Sequence, residues 1–166
     1  MLIMCAAKIE KMFVQRHTDH GWVFYVFEQK MSSIDKRQFP KEIAYDYTYV
    51  EESDSVSMLS TVVLNSPAKP VRVKISAEKS EYAFIPEQVF VNTKGNKMVY
   101  RLKIEIPFSF WEKMYFSQMP FKVSYDFMGG ETISTYAFAE KPAKWNSVSN
   151  KMKSIIGIIK LNVDKK

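Results

Sequence analysis

The stretch 97–107, Lys-Met-Val-Tyr-Arg-Leu-Lys-Ile-Glu-Ile-Pro, constrains the fold more than any other part of the chain. Its polarity alternates with a period of two, the repeat of a pleated strand. Met98, Tyr100, Leu102, Ile104 and Ile106 share one face, Lys97, Arg101, Lys103 and Glu105 the other, and only Val99 breaks the pattern. A slip of one residue would expose all five apolar side chains, so the stretch predicts a strand that sets the register of its neighbours in a mainly antiparallel sheet.

The same period recurs along the chain. In 42–50, Ile43, Tyr45, Tyr47 and Tyr49 oppose Glu42, Ala44, Asp46 and Thr48, and similar alternation runs through 55–64, 71–75 and 121–127. Segments 11–16 and 22–29 read as a hairpin around 17–21, followed by a polar connection over 30–41. Segments 82–85 and 88–91 read as one extended path bent at Pro86. The turn 92–96, with Gly95 able to take a positive φ, delivers the strand at 97. Gly129-Gly130 marks another hairpin.

After Pro107 the period changes. Ser109 and Glu112 have capping-box spacing, and a short aromatic helix is expected near 109–118. Pro142 suits a helix start. Trp145, Val148, Met152, Ile155, Ile156 and Ile159 then fall within about 100° of arc on a helical wheel. A C-terminal helix near 142–156 follows, and Gly157 leaves 155–163 open between helix and strand. Many short strands without βαβ alternation predict a mainly β chain: a single-domain antiparallel β-sandwich, or open barrel, of about 8 to 9 strands. One domain over 1–166 is expected, with mobile ends at 1–8 and 162–166.

Composition bounds the chemistry. With 166 residues, 46% hydrophobic and 14% aromatic, the chain can build a sizeable core. A lone Cys5 cannot form an intramolecular disulfide. Leu2-Ile3-Met4-Cys5 has the order that ends a bacterial lipoprotein signal, although the opening is too short for a whole one; it leans the compartment weakly toward a bacterial cell envelope. No stretch reaches the roughly 20 apolar residues of a membrane span. The net charge of +6 is carried mostly by lysine, with Arg16, Arg37, Arg72 and Arg101 the only arginines. Lysine lacks the planar fork that grips phosphate, so the charge favours nucleic acid only weakly.

Candidate sites are few. His17, Asp19 and His20 form the one histidine cluster and could offer three metal ligands, but on a turn such side chains diverge. Glu51, Glu52 and Asp54 read as a solvated acidic turn. Asp46 and Asp126 could act as a general acid and base if their strands are neighbours. Tyr45, Tyr47 and Tyr49 could make a stacking platform for sugar rings or bases, against a core role as the commoner use of such a stripe. Lys144, Lys151, Lys153 and Lys160 beside the C-terminal apolar stripe could support peripheral membrane contact through 144–160. No nucleophile elbow, phosphate loop or dinucleotide fingerprint is present. The expectation is therefore a non-catalytic binding module with a protein or glycan partner and no cofactor. A basic nucleic-acid-binding protein is the alternative, and a hydrolase using Asp46 and Asp126 a third.

Overall fold

The computed structural model describes residues 12–33, 43–64, 67–136 and 142–163. Cys5 and the expected mobile end at 1–8 lie outside these residues. The strands are β1 (Phe13–Thr18), β2 (Gly21–Ser33), β3 (Ile43–Val50), β4 (Ser55–Leu64), β5 (Pro70–Ala77), β6 (Ser80–Phe84), β7 (Glu87–Lys94), β8 (Lys97–Pro107), β9 (Lys122–Phe127) and β10 (Thr132–Tyr136). The helices are α1 (Phe108–Phe116) and α2 (Pro142–Val163).

The strands form two antiparallel sheets in a β-sandwich-like arrangement. Sheet one contains β1, β2, β3, β4, β8 and β7; sheet two contains β10, β9, β5 and β6. The sheets touch along their hydrogen bonds at one place, where Ser32 and Ser33 at the end of β2 pair with Tyr136 and Thr135 of β10. A bulge between Val26 and Gln29 precedes that junction. Bulges bend a strand and increase its twist, and this one lets a single long strand serve both sheets.

β8 spans 97–107 as the alternation requires, with Tyr100, Leu102, Ile104 and Ile106 buried. It lies between β4 and β7, one strand in from the side of its sheet. α1 enters the space between the sheets directly after it. Phe110, Trp111, Met114 and Tyr115 are all buried. Trp111 and Tyr115 meet Tyr47 of sheet one edge-on, and Phe110 lies 4.1 Å, centroid to centroid, from Tyr82 of sheet two. α2 closes over α1, with Trp145 stacked on Tyr115. The aromatic helix thus fills a gap that strand side chains alone would leave, and the buried apolar residues of both sheets and both helices form one cluster.

Among the described residues there are ten strands, close to the expected number of about 8 to 9. Several expectations need correction. Residues 30–33, read as loop, continue β2 because pairing with β3 and β10 satisfies their backbone. α2 runs past Ser154 and through Gly157 to Val163, which makes 155–163 helix; residues 164–166 lie outside the described residues. Ile155, Ile156 and Ile159 are buried on the stripe begun by Trp145 and Met152, and that burial outweighs the roughly 1 kcal/mol cost of a helical glycine. The capping box does not form. α1 starts at Phe108, whose amide donates to the Asp54 carbonyl at 3.3 Å, while Glu112 turns to an ion pair with Lys160. Val71 is exposed, unlike Val73 and Ile75, because the register shifts between Pro70 and Arg72.

Candidate functional site

Tyr45, Tyr47 and Tyr49 project from the core face of β3 and are 0%, 1% and 3% exposed, which removes them as a stacking platform on the surface. They belong to a polar seam through the core. The Tyr47 and Tyr115 hydroxyls share a 2.8 Å hydrogen bond. Tyr45 Oη donates to Gln29 Oε1 at 3.1 Å, and Gln29 Nε2 donates to Met152 Sδ at 3.2 Å. Trp111 Nε1 and Tyr125 Oη are buried and have no hydrogen-bond partner among the described residues. Burial penalises the phenolate, so it raises the hydroxyl pKa of Tyr45, Tyr47 and Tyr115 above the usual value and pushes that of Tyr125 up to about 12. Neutral phenols of this kind hold a core together and offer no base near neutral pH.

The other sequence candidates are spoken for by local partners. The His17 ring meets Trp22 edge-on, whereas His20 Nδ1 lies 2.7 Å from Glu52 Oε2, so the two imidazoles engage different neighbours. Among the described residues no group of three or more His, Cys, Asp or Glu converges on a metal position. The acidic turn has a structural use: Glu51 Oε2 accepts from the Trp22 amide at 2.8 Å and clasps the β1–β2 hairpin at Gly21.

Asp46 and Asp126 do not meet, because β3 and β9 belong to different sheets and are not neighbours. Asp46 pairs with Arg101, itself donating to Thr61 Oγ1 at 2.8 Å. Asp126 pairs with Lys74 at 3.0 Å and accepts from Thr132 at 2.9 Å, and the Lys74 contact holds its carboxyl below the usual carboxylate range. The apolar stripe of α2 faces inward, so it is not available for membrane contact through 144–160; Lys160 pairs with Glu112, and Lys153 sits 5.5 Å over the Phe116 ring. No helix is long and apolar enough to cross a membrane among the described residues.

What the sequence reading missed is the place of β7: 82–85 and 88–91, read as one extended path bent at Pro86, are two strands of different sheets, and β7 stands at the edge of its own. Every residue of this strand is exposed, including Val89 at 46%, Phe90 at 47% and Val91 at 38%. Among the described residues β7 pairs only with β8, and β6 only with β5, so each ends its sheet. Ile85-Pro86 carries the chain from one to the other. β7 begins opposite Lys103, leaving 104–107 of β8 without a β7 partner. There a cleft of about 420 Å³ opens, lined by Phe84, Ile85, Glu87, Lys103, Ile104 and Glu105. Ser57 Oγ, at 2.6 Å, and Lys103 Nζ, at 2.9 Å, hold Glu105 beside it.

β7 also carries a bulge at Val89, between Gln88, opposite Leu102, and Phe90, opposite Arg101. Gln88, Val91 and Thr93 therefore lie on the core side of the sheet, and Glu87, Phe90, Asn92 and Lys94 on its outer side. The available signal was the unalternating triplet Val89-Phe90-Val91 between two charged ends: with no face exclusively polar, it fits neither a half-buried strand nor a solvated one.

Comparison with known proteins adds no analogy at this point, since no protein-family model, curated protein or solved structure matches the chain.

Proposed function

We propose that the protein is a non-catalytic interaction module that receives a protein partner in extended conformation along the β7 edge. A sheet edge offers main-chain donors and acceptors in a row, and an added strand satisfies them while side-chain contacts give specificity. The reading rests on one observation: an outermost strand whose apolar triplet, Val89, Phe90 and Val91, is exposed throughout beside a cleft that is also partly apolar. Isolated exposed apolar residues are ordinary, but three in succession on a sheet edge favour association. The glycan reading loses its support once the tyrosines are enclosed, and the paired states of Asp46 and Asp126 give the hydrolase reading no general acid or base.

Selection of random displayed peptides against the purified protein tests the reading. Selected peptides should slow amide hydrogen exchange in 87–94, and Phe90→Asp should abolish their binding while leaving the thermal melt unchanged. Selected peptides that protect another surface, or a library that yields none, would count against the module.

A further inference from the structure

The β7 edge carries a charge pattern that points to its own partner. Lys94 stands directly across the β7–β8 hairpin from Lys97, a like-charge opposition that a carboxylate from outside the chain would relieve. Glu87 is at the other end of the strand. The two lie an odd number of positions apart and would face opposite sides of a regular strand. The extra residue at Val89 changes that parity and brings both to the outer side.

We propose that the β7 edge pairs with β7 of a second copy of this chain, antiparallel, about a twofold axis at Val91; this rests on the interaction-module reading of the same edge. In that register Phe90 opposes Asn92 of the second copy. Gln88 and Val89 together oppose its Thr93, and Glu87 opposes its Lys94. Symmetry makes the last contact twice, so two opposite-charge pairs flank an apolar centre in which the two Phe90 rings are diagonal neighbours. A parallel, in-register arrangement would instead set Glu87 against Glu87 and Lys94 against Lys94. The bulge, which on many edges deters pairing, here puts the two charges on one face.

Sedimentation equilibrium on the full chain, with Glu87→Lys, Lys94→Glu and the double variant, tests this. The wild-type chain should show a reversible monomer–dimer equilibrium. Each single variant sets like charges against each other at both symmetric contacts and should weaken dimerisation about tenfold. An equimolar mixture of the two single variants should form heterodimers of near wild-type affinity, and the double variant should regain the homodimer. Glu87 also faces Lys103 of its own chain, so the recovery in the mixture carries more weight than the loss in either single variant. A wild-type chain still monomeric at about 1 mM would overturn the proposal, as would a dimer indifferent to these charges. If displayed peptides still protect 87–94 of a monomeric chain, only self-pairing falls; if they do not, the module falls with it.

Discussion

Tyr47 and Tyr115 share their hydrogen bond where no water replaces a lost partner, so each hydroxyl depends on the other. Tyr47→Phe or Tyr115→Phe alone should cost about 1 to 3 kcal/mol, the penalty for stranding a buried polar group. The double variant should cost clearly less than the sum of the two, because neither hydroxyl is then left stranded. Urea unfolding at neutral pH measures all three, and additive costs would mean that the hydroxyls act independently. The alternation through 43–49 places these tyrosines on one face and supports a core role, but it could not show that Tyr115, from another element, would meet them. Nor could it show that His17 and His20 would take different partners.

At the scale of elements, hydrophobic period was a good guide where one face is buried and the other wet. β3 follows its alternation residue by residue, and β8 does so from Tyr100 to Ile106, with Met98 only half-buried at its start. Period pointed to a helix as far as Ile159, and the opposing signal of Gly157 was overridden by packing. α2 continues through Gly157 because the isoleucines on either side of it are drawn into the core. A methyl group at position 157 would have no atom within 4 Å to meet, and the glycine has no positive φ to preserve. Gly157→Ala should therefore stabilise the protein by about 0.5 to 1 kcal/mol, read as a raised melting temperature, since alanine has the better helix propensity. Gly21 is the contrasting case. Its φ is +85° and an added Cβ would lie 2.5 Å from Glu51 Oε2, so a side chain there would be strained and would displace the carboxylate that accepts from the Trp22 amide.

For the whole molecule, four buried phenols tie stability to alkaline pH. Each has a pKa raised by burial above the unfolded value of about 10. Below pH about 10 both states keep these protons and the contribution is intact. Above it the unfolded chain releases protons that the folded chain retains, so stability falls as pH rises, by about 5 kcal/mol per pH unit for the four together. Unfolding should therefore set in between about pH 10 and 12, read as loss of the near-ultraviolet dichroism in one transition; tyrosinate absorbance reports it less cleanly, because Tyr25 and Tyr82 are exposed in the folded chain. A near-ultraviolet dichroism still native at about pH 12 would show that the four buried phenols do not carry this cost. The sequence by itself determined the strand-forming segments, the inward faces of the regular ones and the two helices, because these follow from nearest-neighbour geometry along one chain. Only the tertiary structure decided that β3 and β9 lie in different sheets, that α1 fills the interior, and that β7 ends its sheet. Those are matters of which elements pair across long sequence separations, and local period carries no record of them. The edge at β7 is the clearest instance: its triplet Val89, Phe90 and Val91 is apolar enough for a core, and among the described residues no further strand lies beside it to cover them.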